Sequence, residues 1–267
     1  MATFQNKVII VTGASEGIGR ALCLALAPQA PRLVLAARNQ DRLNDLGTEV
    51  EALGAKALVV PTDVTDQAAC RNLVTTTVDQ WGRIDVLVNN AGMTMWTTME
   101  AMSDLSIFER LMQLNYFGSV YCTYHALPHL KATRGRIVAV SSLTGLTGVP
   151  TRTAYAASKH AMFGFFDSLR IELMDSGVTV TMIAPDFILS QMHRRALGPD
   201  GEPLGKSPLQ TDKIMTAEEC AAMILAAMEK RQRLLLTSAR GKLLYRLKGL
   251  APGLLDAIAA KAISKKK

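Results

Sequence analysis

Seven short runs of consecutive apolar residues recur along this 267-residue chain, at residues 7–12, 33–37, 57–60, 84–89, 136–141, 178–183 and 234–237. A strand with one wet face alternates apolar and polar residues. A run apolar at every position needs cover on both faces, as in a parallel sheet held between helices. Between the runs the apolar spacing becomes helical, as at Leu43, Leu46, Val50 and Leu53. Strand alternating with helix over the whole length predicts an α/β fold: a doubly wound parallel sheet of about seven strands, helices on both faces, right-handed crossovers. One large domain is expected at this length rather than two. We place its body at residues 1–238 and a basic amphipathic C-terminal helical extension at residues 239–267.

The first strand-to-helix turn is Thr12-Gly13-Ala14-Ser15-Glu16-Gly17-Ile18-Gly19. Its three glycines let the backbone turn tightly and approach a pyrophosphate, and the helix that follows offers unsatisfied N–H groups to it. That pattern points to a dinucleotide. The second strand ends Ala36-Ala37-Arg38-Asn39 with no acid between Leu33 and Gln40. An acid there suits the ribose 2′-hydroxyl of NAD; an arginine suits the 2′-phosphate of NADP. NADP(H) is therefore favoured over NAD(H), against the bland reading of Arg38 as a solvated loop residue. Glu16 is a contrary feature, since it would repel that phosphate if it pointed inward. Asp63-Val64 and Asn89-Asn90-Ala91-Gly92 follow the third and fourth runs, at strand ends where open α/β sheets bind ligands. Asp63 has an alternative as a cap for the helix near Asp66.

Tyr155-Ala156-Ala157-Ser158-Lys159 puts a phenol and an ammonium one helical turn apart. A free tyrosine, with a pKa of about 10, needs roughly 4 kcal/mol of preference for the phenolate to work near neutrality. One cation about 4 Å away at an effective dielectric of about 20 supplies about that much, so the lysine alone suffices on this reading. Ser142 ends the fifth run, and Gly145, Gly148 and Pro150 make the loop to Tyr155 irregular enough to fold the serine back. Ser106-x-x-Glu109 reads as a capping box opening a long helix. Its apolar stripe of Phe108, Leu111 and Met112 includes Asn115, either a satisfied core group or a site residue. The helix bearing Tyr155 is apolar nearly all round, so a subunit interface is expected beside it.

The net charge of +7 is uneven: residues 230–267 carry eleven basic residues and one acid, net +10, leaving −3 for residues 1–229. A weakly acidic body argues against nucleic acid as its partner. No run of about 18 apolar residues predicts a membrane span. No apolar stretch of signal-peptide length precedes the first strand, and the four cysteines show no paired spacing. A cytoplasmic location and no metal site are expected.

Taken together, these motifs resemble the short-chain dehydrogenase/reductase family, over residues 7–237. The resemblance implies a Rossmann-type domain and NAD(P)-dependent interconversion of an alcohol and a carbonyl. It implies Tyr155 as acid and base, Lys159 as the group that lowers its pKa and holds the nicotinamide ribose, Ser142 on the substrate oxygen, and Asn115 holding a water as proton relay. It implies Gly13, Ser15, Gly17, Ile18 and Gly19 at the phosphates, Asp63 and Val64 at the adenine, and Asn89, Ala91 and Gly92 on the adenosine-ribose side. Ile188 and Ser190 match the positions at the nicotinamide carboxamide. Asp186 departs from the family, which usually has glycine after this proline, and puts the fit of that loop in doubt.

Met93, Met95, Trp96, Leu143, Leu146, Val149 and Met192 are candidates for a hydrophobic substrate pocket, or for core. The expected substrate is a hydrophobic ketone, aldehyde or alcohol. Alternatives are a 3-oxoacyl thioester and a cofactor-binding module without turnover. Residues 190–215 are expected as a mobile substrate lid, and Thr216 with Glu219 as the cap of the next helix. In the extension, Leu243, Leu244, Leu247 and Leu250 form a stripe among Arg240, Lys242, Arg246 and Lys248; Pro252 opens a second helix with Leu254, Leu255, Ile258 and Ala262; and Lys265, Lys266 and Lys267 end the chain. Such a segment docks on the body or a neighbouring subunit, or rests on an anionic membrane surface. A homodimer or homotetramer is expected.

Overall fold

The computed structural model describes residues 3–207 and 214–264, with side chains to residue 260. The lysines at 265–267, the side chain of Ala262, and the 208–213 stretch of the expected lid lie outside what it describes. Seven parallel strands form one sheet in the order β3-β2-β1-β4-β5-β6-β7. They are β1 (Val8–Thr12), β2 (Arg32–Ala37), β3 (Lys56–Pro61), β4 (Val86–Asn89), β5 (Arg136–Val140), β6 (Thr179–Ala184) and β7 (Leu234–Leu236). The helices between them are α1 (Gly17–Leu26), α2 (Gln40–Ala52), α3 (Gln67–Trp81), α4 (Ser106–Leu111), α5 (Gly118–Thr133), α6 (Thr153–Glu172) and α7 (Ala217–Glu229), followed by α8 (Ala239–Leu250) and α9 (Pro252–Ser264). The doubly wound sheet read from the sequence is the fold.

Every residue of β1 and of β4 is buried. Along β1, Ile9 and Val11 face a layer containing Leu22, Leu43 and Ile224 of α1, α2 and α7. Val8 and Ile10 face Leu73, Leu130 and Phe166 of α3, α5 and α6. The run is apolar at each position because alternate side chains enter two different cores. Each fully buried Leu, Ile or Phe contributes about 1.5–3 kcal/mol.

Helix starts follow local chemistry. Asn39 caps α2, its Oδ1 accepting from Arg42 N at 2.9 Å, and Asp66 caps α3 through Ala68 N at 2.7 Å. Thr216 and Glu219 form the anticipated reciprocal box on α7. The box expected at Ser106 and Glu109 does not form. Asp104 lies two residues upstream, and its carboxylate accepts from Ser106 N at 2.9 Å and Ser106 Oγ at 2.7 Å instead. The long helix beginning there is interrupted by a π turn, Met112–Phe117, before α5. Cys70 and Cys122, far apart in sequence, meet across α3 and α5 with their sulfurs 3.5 Å apart as free thiols. Among the described residues no helix is long and apolar enough to cross a membrane.

Candidate functional site

The chain leaves β1 toward β2 on one side and later reaches β4 on the other. The carboxyl ends of β1 and β4 therefore flank the crevice where open α/β sheets take ligands. After β1, Gly13 and Gly17 adopt φ of 64° and 53°. A Cβ on Gly13 would lie 2.9 Å from Ala91 Cα, so a side chain there would force the β1 and β4 turns apart. Thr12 ties these turns: its Oγ1 accepts from Asn90 N at 2.9 Å and Ala91 N at 3.1 Å, and Asn90 Nδ2 returns a bond to Thr12 O at 2.9 Å. The N-terminus of α1 has no side-chain cap. Its first N–H groups and partial positive charge are thus available to an anion.

These turns open into a cavity of about 1840 Å³ that also takes in the ends of β2, β3, β5 and β6. Pockets for single small molecules run to roughly 300–1,000 Å³, so this one has room for a dinucleotide and a substrate together. Gly13, Ser15, Glu16, Gly17 and Ile18 line it. So do Arg38, Asp63, Val64, Ala91 and Gly92. So, at the other end, do Ser142, Tyr155, Lys159, Ile188 and Ser190.

Three expected site residues do not line it. Gly19 is buried where α1 presses on the turn; a Cβ there would lie 2.5 Å from Asn90 Nδ2 and closer still to Gly13 O. Asn89 points into the core, its Nδ2 donating to Thr123 Oγ1 at 2.9 Å, and its neighbour Asn90 reaches the cavity instead. Strand alternation explains the swap, since consecutive residues face opposite sides. Asn115 is fully buried within the π turn. Its Oδ1 accepts from Met93 N at 2.8 Å, and its Nδ2 donates to Met93 O at 3.0 Å and Ser158 Oγ at 2.9 Å. The side chain is a clamp between the loop after β4 and α6. Asp63 does not cap α3. Its Oδ1 accepts from Thr65 N and Thr65 Oγ1, at 3.0 and 2.8 Å, which fixes the turn after β3.

Ser142, Tyr155 and Lys159 come together. Gly145 makes this possible: a Cβ there would lie 2.7 Å from Lys159 O, so the loop after β5 lies directly on α6. Ser141 Oγ donates to that same Lys159 O at 3.1 Å. Lys159 Nζ donates to Val140 O at 3.0 Å and sits 5.8 Å from the Tyr155 ring centre. Burial pulls the lysine down to about 7. The tyrosine is raised above its ordinary value by loss of solvent; the Ser142 hydroxyl, the Arg152 charge and the Thr144 hydroxyl pull it back. The sequence argument gave that work to the lysine alone. It omitted the desolvation of both groups, and it omitted a second cation.

That cation, Arg152, is a residue the sequence reading missed. It is 3% exposed, with Nη1 donating to Thr94 Oγ1 at 2.5 Å and Met95 O at 2.8 Å. Its guanidinium stacks 4.1 Å from the Trp96 ring and lies 5.9 Å from the Tyr155 ring. No carboxylate pairs with it among the described residues. Its place three residues before Tyr155, at the helix start, was the available signal.

At the opposite end, Glu16 does not carry free charge. Arg42 Nη1 pairs with it at 3.0 Å, and Arg195 closes on its other oxygen from across the cavity. Arg38 is exposed at the β2 end and forms no ion pair among the described residues.

Of the expected substrate-pocket residues, Met93, Trp96, Leu143, Val149 and Met192 line the cavity. Met95 is buried with Ile107 and Leu111, and Leu146 packs against the α6 side of the sheet. The expected lid is stitched down along its first half. Leu197 N donates to Thr94 O at 2.9 Å, Trp96 N to Leu197 O at 2.8 Å, and Ser103 N to Pro199 O at 2.9 Å. Leu244, Leu255 and Ile258 also line the cavity, so the two C-terminal helices reach it. The leucine stripe read from the sequence splits, with Leu243 and Leu250 exposed and Leu244 turned inward.

A family model described as short chain dehydrogenase matches residues 7–198. An 11-beta-hydroxysteroid dehydrogenase of Pinus massoniana is 36% identical over 94% of this chain and 72% of its own length. A dehydrogenase/reductase SDR family member 7B of Bos taurus is 34% identical over 100% of this chain and 84% of its own. The solved structure of a short chain dehydrogenase/reductase from Burkholderia phymatum in complex with NAD superposes with a TM-score of 0.83 at 23% identity, over 95% of this chain and 96% of that one.

Proposed function

Since the chain belongs to the short-chain dehydrogenase family, an NAD(P)-dependent oxidoreductase group acting on CH–OH groups, we propose that it uses NADP(H) to interconvert a hydrophobic ketone or aldehyde and its alcohol. The observation that carries this is the convergence of Ser142, Tyr155 and Lys159 in one cavity with the uncapped α1 terminus. A dinucleotide held in this cavity would supply or accept the hydride. Gly13, Ser15, Gly17 and Ile18 hold its phosphates against the first N–H groups of α1. Ser142 orients the substrate oxygen, and Tyr155 gives that oxygen a proton in reduction and takes it back in oxidation. Burial leaves the phenol protonated near neutrality, ready to donate. Lys159, drawn down to about 7 by burial, sits where its protonated form would stabilise the phenolate that results. Asn115 holds Met93 and α6 in place beside it. The names of the relatives include hydroxysteroid dehydrogenases, and the apolar walls at Trp96, Leu143 and Val149 suit a bulky apolar substrate.

Arg38 supports NADP(H), because its guanidinium forms no ion pair among the described residues while the nearby Glu16 is already neutralised by arginines. Charge-assisted bonds contribute about 1.5–3 kcal/mol. Arg38→Asp should therefore lower kcat/KM with NADPH about 10–100-fold and leave NADH nearly unchanged. Initial rates across a panel of hydrophobic ketones with both cofactors test this; a wild type faster with NADH sinks the assignment.

Arg152 gives a pH prediction. Its charge favours the Tyr155 phenolate, so its loss raises the tyrosine further. Oxidation of the alcohol needs the phenolate, and its pH midpoint should move to higher pH in Arg152→Gln and less so in Arg152→Lys. Superimposable pH–rate profiles in all three proteins would remove Arg152 from the chemistry.

A further inference from the structure

Asp186 stands where the family usually has glycine, and the structure shows what its carboxylate does. Oδ2 accepts from Ser238 Oγ at 2.8 Å and Arg240 Nε at 3.1 Å, and Oδ1 accepts from Arg240 Nη2. Its own N–H donates to Thr237 Oγ1 at 3.0 Å. The segment from Thr237 to Arg240, which opens α8, is thus fastened to one residue of the loop after β6. Ser238 is also the α8 cap, its Oγ accepting from Gly241 N at 2.9 Å, so the same hydroxyl starts the helix and ties it down.

The fastening point lies against the reacting end of the cavity. Leu143 N, next to Ser142, donates to Pro185 O at 3.0 Å. A Cβ on Gly241 would lie 2.8 Å from both Leu143 methyl carbons, so the first turn of α8 rests on Leu143 with no space to spare. From there α8 and α9 turn Leu244, Leu255 and Ile258 into the cavity, and Leu255 is 5% exposed. Much of the rest of these helices is exposed. Few buried groups hold them among the described residues, which gives the Asp186–Arg240 ion pair at their base an outsized share in seating them.

We propose that Asp186 is a positioning residue that seats the two C-terminal helices as the roof of the substrate pocket, so that Leu244, Leu255 and Ile258 select for bulky apolar substrates. This rests on the reading of the cavity as a dehydrogenase site for hydrophobic carbonyls. Asp186→Gly removes the carboxylate, leaves Arg240 with the Phe187 ring 5.8 Å away as its remaining partner among the described residues, and frees the roof to swing from Leu143. A small ketone needs only the floor of the pocket, made by Ser142 and Tyr155. A fused-ring ketone also needs the roof.

The test uses full-length protein in four forms: wild type, Asp186→Gly, Arg240→Ala, and the charge-swapped Asp186→Arg/Arg240→Asp. Amide hydrogen exchange over residues 241–259, read by mass spectrometry, reports the seating without any turnover. It should quicken about tenfold in both single variants and slow again in the swap. With NADPH, the ratio of kcat/KM for a fused-ring steroid ketone to that for cyclohexanone should fall about tenfold in the single variants, mainly through KM. Exchange as slow as wild type in both single variants overturns the seating role. Faster exchange with an unchanged ratio overturns the selection role. A wild type inactive on both ketones sinks the substrate reading instead, and the exchange result then still decides whether Asp186 seats the helices.

Discussion

Tyr155→Phe should lower turnover by about 10³-fold, within the range for loss of a positioned general acid, while dinucleotide affinity stays within about twofold of wild type. The phenylalanine keeps the ring between Arg152 and Lys159 and removes only the hydroxyl. Lys159 remains bonded to Val140 O, and Ser142 remains capped onto Thr144 N at 3.2 Å. The phosphate end of the cavity, at Gly13 and Gly17, is untouched. What disappears is the hydroxyl to which we assign proton exchange with the substrate oxygen. Steady-state rates with fluorescence titration of NADPH separate the two effects. A loss under tenfold would mean another group moves that proton; a parallel loss of cofactor affinity would mean the hydroxyl was holding the cleft.

Gly19→Ala should cost about 1–3 kcal/mol of stability, the usual range for forcing an atom into a packed site, and weaken dinucleotide binding at least tenfold. On helix propensity alone this change would help, since alanine is favoured over glycine by about 1 kcal/mol in a helix interior. Packing reverses the sign. The new methyl would meet Gly13 O, which is main chain, and Asn90 Nδ2 at 2.5 Å. Asn90 is held by Thr12 and cannot easily withdraw. The glycine turn must shift, and with it the uncapped first N–H groups of α1. Denaturant melts and NADPH titration check both parts. A variant more stable than wild type would show that the turn is softer than this geometry allows.

The fold was almost fully legible in the sequence, because the central strands, such as β1 and β4, are buried on both faces and read as unbroken apolar runs. Strand ends moved by a residue or two, as at β4, which begins after Asp85 accepts from Val8 N at 3.0 Å. The glycine turn and the Tyr155–Lys159 pair were legible because their spacing is local. Most of the misses at the site depend on residues distant in sequence. Asn89 and Asn90 could not be ranked without knowing which way β4 faces. Arg152 looked like an ordinary basic residue until Thr94, Met95 and Trp96 closed around it. Asp186 looked like a blemish in a familiar loop, since its partners Ser238 and Arg240 lie some fifty positions later.

The two ends of the cavity are built in different ways. The floor rests on main chain from the buried central strands, while the roof depends on side chains at one base. A chain so divided can diversify its clientele cheaply. Variation at residues 186 and 240–259 would retune which molecules are admitted while the proton and hydride machinery stays fixed, and directed evolution of substrate range would profitably begin there.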